Sequence, residues 1–266
     1  MQIAGAIDGK IGAAALIVET GESAGVHASD RFPMQSVYKF PIAMAVLHMV
    51  DGGTLRLDQQ VTVARAELVG AGLHSPIRDA HPQGDFPISL RELLRYAVSE
   101  SDGTASDVLL RLAGGCDRVT AYLRSLGITG VMVATTEQEM GRDEMAQYRS
   151  WSTPDAMAGL LRTFQRGAGL SAASRRLLMQ WMTETTTGPK RLKGLLPAGT
   201  IVAHKTGTSD TRDGLTRATN DVGLITLPSG RHLAIAVFVS DSHAGAEREE
   251  TIAKIARAAF DRWSGK

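Results

Sequence analysis

Ser36-Val37-Tyr38-Lys39 sets a hydroxyl and an amine three residues apart, directly ahead of the apolar run 40–50. If that run is helical, Ser36 and Lys39 lie one turn apart on one face. A serine hydroxyl is a weak nucleophile until a neighbouring base takes its proton, and a buried, partly desolvated lysine is such a base. A helix N-terminus adds backbone N–H groups that hold a developing oxyanion. Ser-x-x-Lys alone arises often by chance. Its weight comes from the polar blocks downstream: Ser101-Asp102-Gly103, then Glu137, then His204-Lys205-Thr206-Gly207.

Other motifs compete and fall away. Gly21-Glu22-Ser23-Ala24-Gly25 matches the G-x-S-x-G turn that presents a nucleophile between a strand and a helix. Here residues 26–30 are short, alternating and followed by Phe32-Pro33, so no helix starts and a Gly/Ser hairpin turn explains the stretch. His-Glu-x-x-His is absent, and His74 and His81 sit apart in a polar loop, so no metal is expected. Gly70-Ala71-Gly72 lacks the preceding strand and third glycine of a dinucleotide loop, so no cofactor is expected either. The single cysteine, Cys116, rules out an intrachain disulfide and reads as a packed thiol.

These residues need a scaffold, and 266 residues can bury a large core as one or two domains. With 43% apolar and 21% charged residues the composition is that of an ordinary globular protein. A formal net charge of +1 offers no basic field for nucleic acid. No apolar run approaches the roughly 18 residues a bilayer span requires, so no membrane insertion is expected. Met1-Gln2-Ile3 opens without a basic n-region and apolar h-region, so no signal peptide is read in this chain. Residues 11–19 read as a strand, 21–25 as a turn and 26–30 as a short returning strand. From 36 to about 184 the pattern turns helical, with apolar three- and four-residue spacing over 40–50, 90–98, 104–113, 154–165 and 172–182. Thr153-Pro154-Asp155 is a helix start. Three β-runs follow at 200–208, 220–227 and 232–240, and 247–263 closes as an amphipathic helix. The expected fold is α+β: an antiparallel sheet with flanking helices from 1–33 and 186–266, a helical subdomain from 34–185, and the active site in the cleft between them.

The four blocks, in this order, resemble the S-x-x-K, S-D-N and K-T-G signature of class A serine β-lactamases, which the general pattern itself describes. Phe32-Pro33-Met34-Gln35-Ser36, Thr185-Thr186-Thr187-Gly188-Pro189 and Gly194-Leu195-Leu196-Pro197-Ala198-Gly199 extend the resemblance over nearly the whole chain. Within the class the chain is most similar to the PER-type extended-spectrum enzymes. The resemblance implies that Ser36 attacks the lactam carbonyl and Lys39 accepts its proton or positions the base. Ser101 would relay a proton to the leaving nitrogen, and Asp102 would hold the local turn as a helix cap. Glu137, in the polar loop 135–149, would activate the deacylating water in preference to Glu139. The backbone N–H groups of Ser36 and Thr208 would form the oxyanion hole. Lys205, Thr206 and Gly207 would bind the substrate along a cleft strand, with Arg191 supporting its carboxylate and His74 at the cleft mouth.

Some positions depart from the family pattern. Gly103 replaces an Asn whose amide would bind the substrate, Gly141 replaces an Asn, Thr135 replaces an arginine clamp, and Asp107 stands where most relatives have Asn. The implied partners are small β-lactams, with no nucleic acid or membrane, and the chain is expected to be a periplasmic or secreted monomer. The alternative is a penicillin-sensing or penicillin-binding module that acylates on Ser36 and stays acylated.

Overall fold

The last long apolar run, from His232 to Ser240, is buried at nearly every position rather than at alternate ones. A strand reads this way when both faces of its sheet are covered. The computed structural model, which describes residues 7–265, gives that arrangement. The expectation for Met1-Gln2-Ile3 lies outside the described residues. Five antiparallel strands form the main sheet: β1 (Lys10–Ile17), β2 (Ser23–Val26), β3 (Val202–Thr208), β4 (Thr219–Thr226) and β5 (His232–Ser240), in the order β2-β1-β5-β4-β3. Leu233, Ile235, Val237 and Val239 of β5 pack on one side with Ile252, Ala256, Phe260 and Trp263 of the C-terminal helix. Ala234, Ala236 and Phe238 face the opposite way, into a core shared with the helices. The α+β architecture expected from the pattern is therefore present.

Nine helices are described: α1 (Lys39–Asp51), α2 (Pro76–Ala80), α3 (Leu90–Ser99), α4 (Gly103–Leu112), α5 (Cys116–Ser125), α6 (Glu137–Arg142), α7 (Pro154–Gln165), α8 (Ala172–Glu184) and α9 (Glu247–Ser264). Every residue of α1 from Lys39 to Leu47 is buried. A helix apolar on all sides belongs at the centre of a bundle, and α1 contacts α3, α4, α5 and α8. Local signals set several starts. Thr153 accepts a hydrogen bond from Ala156 N at 3.2 Å, with Pro154 in the first turn of α7, as Thr-Pro-Asp predicts. Asp102 caps α4 through Ala105 N at 2.8 Å.

The sequence expectations need three corrections. The returning strand is Ser23–Val26, not 26–30, so Ser23 lies within a strand, exposed, and no helix follows it. Residues 135–149 are largely helical rather than an irregular loop, comprising α6 and a 3-10 segment, Glu144–Arg149. The reason is a capping box: Thr136 Oγ1 accepts from Glu139 N at 3.1 Å, while Glu139 Oε2 accepts from Thr136 N at 3.0 Å. A small hairpin of Gln60–Val63 with Phe86–Ser89 was not anticipated; both strands are too short and too exposed to give a periodic signal.

One contact carries the sheet to the catalytic segment. Gly12 of β1 faces Phe238 of β5, and the Phe32 ring stacks on Phe238 with centroids 5.8 Å apart. A Cβ at Gly12 would fall 2.2 Å from Phe32 Cε2 and 3.0 Å from Pro154 Cγ. Gly12→Ala is expected to cost about 1–3 kcal/mol, as overpacked cores do. Thermal unfolding followed by circular dichroism should show a lower Tm; an unchanged Tm would mean that Phe32 retreats freely.

Candidate active site

Ser36 lies in a 3-10 turn, Gln35–Tyr38, and the α-helix proper begins at Lys39. In 3-10 geometry residues i and i+3 eclipse, which sets Lys39 on the same side of the chain as Ser36. The turn is pinned from the sheet. Asn220 Nδ2 donates to Pro33 O at 2.8 Å and Met34 O at 3.1 Å. Gly207 lies so near that a Cβ there would be 2.3 Å from Met34 O. The missing side chain at Gly207 thus lets β3 abut the nucleophile's turn, a different reason for glycine from the substrate contact expected of it.

Lys39 is fully buried, and its Nζ lies 2.7 Å from Ser101 O and 2.8 Å from Glu137 Oε1. That ion pair is close but misaligned, since Glu137 Oε1 has no hydrogen bond of good angle. Lys205, also buried, donates to Ser101 Oγ at 2.9 Å and to Thr206 O at 3.1 Å. Burial pushes the Lys205 ammonium well below its usual range, and the nearby Lys39 pushes it further. Ser101 adopts a left-handed backbone, φ +60°, which turns its carbonyl toward Lys39 and its hydroxyl toward Lys205. Asp102 is buried behind it, holding Ser75 Oγ at 3.0 Å and Ile77 N at 2.7 Å besides its own helix. That ties the Ser101 turn to α2.

The two carboxylates of the α6 turn have separate surroundings. Glu137 is buried and faces Lys39, whereas Glu139 is spent on the capping box, on Thr135 Oγ1 at 3.0 Å and on Arg149 at 3.7 Å. Asp107 holds the start of α6, accepting Glu137 N at 2.8 Å and Gln138 N at 2.9 Å. Burial raises the Asp107 carboxyl to about 7, although the two N–H groups pull it down. Tyr38 packs beneath; burial, then Glu137 and Asp107, raise its phenol well above the ordinary value, so it stays neutral. With Gln138 Nε2 bonded to Ala66 O and Arg217 bonded to Glu144, the segment is restrained without an arginine at 135.

Arg191 is buried beside β3. Its guanidinium donates to Glu249 Oε1 at 2.9 Å, Gly207 O at 3.2 Å, Asn220 O at 2.9 Å and Thr208 Oγ1 at 2.7 Å. Thr187 and Thr206 hydroxyls meet at 2.7 Å. His74 is exposed at the rim, with Nε2 2.8 Å from Glu100 O, and its carbonyl accepts Gly103 N. Ser36, Lys39, Ser101, Glu137, His74, Arg191, Thr206 and Thr208 line one cleft of about 670 Å³. Gly103 is buried: a Cβ there would sit 3.3 Å from His74 O and 3.4 Å from Glu137 Cγ.

Sequence reasoning overlooked Asn220 and Asp221, although two polar residues opening an apolar strand are a usable signal. It also overlooked Glu249, which has no local signature because its partner lies 58 residues away.

The geometry agrees with what the chain is similar to. Residues 2–263 match the family described as Beta-lactamase enzyme family. The extended-spectrum beta-lactamase PER-1 of Pseudomonas aeruginosa is 46% identical over 236 residues, covering 88% of this chain and 76% of that protein. Beta-lactamase VEB-1 of Pseudomonas aeruginosa is 40% identical over 260 residues, covering 97% and 86%. The crystal structure of a beta-lactamase from Chitinophaga pinensis DSM 2588 superposes with a TM-score of 0.95 at 46% identity, covering 98% of this chain and 96% of that one. TLA-3 extended-spectrum beta-lactamase superposes with a TM-score of 0.94 at 42% identity, covering 97% and 94%. The chain belongs to the beta-lactamase enzyme family: it is a class A, PER-like β-lactamase, a hydrolase.

Proposed function

We propose that the enzyme opens penicillins and cephalosporins by acylating Ser36 and then hydrolyses the ester with a water activated by Glu137. One observation carries this reading: the Lys39 ammonium bridges Ser101 O and the Glu137 carboxylate in a buried site directly after Ser36. Lys39 can take the Ser36 proton only after giving up one of its own, and Glu137 at 2.8 Å is the acceptor that lets it do so. The tetrahedral oxyanion is held by the N–H groups of Ser36 and Thr208. Ser101 Oγ accepts from Lys205, which leaves the hydroxyl's own proton free for the departing lactam nitrogen. Lys205 and Thr206 hold the substrate carboxylate. Arg191, with at least four hydrogen bonds already made, acts mainly by fixing the Thr208 hydroxyl. After acylation Glu137 takes a proton from the hydrolytic water.

The same reading assigns 1–33 with 186–266 and 34–185 as the two sides of the cleft, His74 as its rim, and the chain as a periplasmic or secreted monomer. Among the described residues no helix is long and apolar enough to cross a membrane.

Ser36→Ala should lower kcat for a chromogenic cephalosporin by several orders of magnitude, as loss of a nucleophile does, with Tm retained. Ser23→Ala, an exposed strand position, should leave kcat unchanged. An inactive Ser23 variant with an active Ser36 variant would overturn the assignment.

Glu137→Ala should acylate and stall, so mass spectrometry after mixing with benzylpenicillin should find a stoichiometric adduct on Ser36. Free turnover by this variant, or stalling by Glu139→Ala instead, would transfer the role. A long-lived adduct on the unmodified protein would favour the sensor.

Oxyimino cephalosporins belong to the proposed substrate range. At Gly141 a Cβ would lie 2.9 Å from Leu73 Cδ1, so the space there is filled by a half-exposed, flexible leucine rather than left empty. Leu73 can rotate away from a bulky group, whereas a polar side chain at 141 would compete with it. The opposing effect is the amide missing at Gly103. One neutral hydrogen bond is worth roughly 0.5–1.5 kcal/mol, or about two- to tenfold in rate. Steady-state kinetics with cefotaxime and ceftazidime should show turnover of both; brisk benzylpenicillin hydrolysis with neither would sink this part.

A further inference from the structure

At the rim of the cleft the chain makes an exposed turn, Gly70–Leu73, with two glycines at its tip. Gly70, Ala71 and Gly72 are exposed, and a Cβ at Gly70 or Gly72 would meet nothing within 4 Å. The turn closes on itself through Leu73 N, which donates to Gly70 O at 2.9 Å. Its last residue is nevertheless part of the cleft wall, where Leu73 covers Gly141 of α6. Three carbonyls of this stretch converge on one nitrogen of α2. Arg78 Nη1 donates to Gly70 O at 2.6 Å, to Leu73 O at 2.7 Å and to Val69 O at 3.4 Å. The other edge of the guanidinium faces Asp79 Oδ1, at 2.9 Å from Nε and 2.7 Å from Nη2. The Arg78 side chain is 16% exposed and that of Asp79 65%. An ion pair with so exposed a partner contributes little, so the carbonyls are the specific contact.

We infer that Arg78 is a positioning residue for selection of the substrate's acyl side chain, fixing the Gly70–Leu73 turn so that Leu73 stands over Gly141 as a wall of the cleft. Arg78 does not itself line the cleft, so it acts through Leu73. A planar fork of five donors with no acceptor suits a set of converging carbonyls. The fork also has a fixed origin. Asp102, next to the catalytic serine of α4's start, accepts Ser75 Oγ at 3.0 Å and Ile77 N at 2.7 Å, and Arg78 N donates to Ser75 Oγ at 3.2 Å. The wall is thereby set in register with the Ser101 turn. Arg78 holds the backbone of the turn while the Leu73 side chain stays free to rotate. The wall is then firm against a small acyl group and yields to a bulky one. Without the guanidinium the exposed carbonyls would turn to water, and the two glycines would let the turn spread.

The inference rests on the proposed substrate range, and the experiment separates the two. Arg78→Met keeps an apolar stem and removes every donor. Its KM for benzylpenicillin should rise by about tenfold, the scale of one apolar pocket contact, with kcat within about twofold. For ceftazidime kcat/KM should fall less, because a bulky group displaces the Leu73 side chain in any case. Leu73→Ala should raise the benzylpenicillin KM to a similar extent, and the double variant should be no worse than Leu73→Ala alone. Additive effects, an unchanged KM in either single variant, or a fall in kcat at constant KM would overturn the inference. Ceftazidime turned over by no form would sink the substrate range alone, since the benzylpenicillin cycle still decides the role of Arg78. Should Arg78→Met not fold, amide hydrogen exchange in the unmodified protein decides. Protection of the Leu73 N–H is expected, and exchange as fast as in an unstructured peptide would overturn the inference.

Discussion

Two ammonium groups, Lys39 and Lys205, are buried in one cleft, and the rest of the site is the consequence of keeping them there. Taking each from water costs several kcal/mol unless partners of good geometry replace the hydration shell. The partners come from three separate parts of the chain. Ser101 offers its carbonyl to one lysine and its hydroxyl to the other, Glu137 sits against Lys39, and the Thr206 carbonyl accepts from Lys205. A residue that serves two cations with two different oxygens has to adopt an uncommon backbone. The φ of +60° at Ser101 is the cost, about 1–3 kcal/mol for a residue other than glycine.

Such a cluster needs walls that do not drift. The sheet provides one, because both of its faces are packed and β3 cannot slide without moving a buried register. Its link to the nucleophile is made of backbone contacts: Asn220 holds the carbonyls of Pro33 and Met34, and Gly207 permits the approach. The other wall is α1, buried on every side, whose first residue is Lys39 itself. A flexible, strongly hydrated side chain is thus fixed at the start of a helix whose first nine residues are all buried.

Much of this was legible in the sequence, and the boundary of legibility has a physical cause. Long elements announced themselves: β5 by its unbroken apolar run, α7 by Thr153-Pro154-Asp155, and α9 by its amphipathic spacing. The order of polar blocks pointed to Ser36, Lys39, Ser101 and Lys205, which the fold brings into one cleft. Six residues of α6 are too few to show a period, although Thr136-Glu137-Gln138-Glu139 carries the capping box that starts the helix. What stayed hidden depends on distance in sequence. The Arg191–Glu249 pair, Asn220 on Pro33, and Asp107 under Glu137 span 58, 187 and 30 residues. No local pattern encodes such contacts; only the closed fold creates them.

The departures from the family pattern take on a different meaning in this light. Judged residue by residue, glycine at 103 and 141 and threonine at 135 look like losses of contact. In the folded chain the loop around Glu137 is held instead by Asp107 and by the capping box. Asp107 accepts two N–H groups from the peptides at Glu137 and Gln138, a task suited to a carboxylate, which has only acceptors, and beyond the single oxygen of an asparagine amide in the same geometry. At Gly103 a Cβ would be tight against the His74 carbonyl at 3.3 Å and in contact with Glu137 Cγ at 3.4 Å. Glu137 is thus held against Lys39 by Asp107 and the capping box, in a segment flanked by glycine at 103 and 141 and threonine at 135.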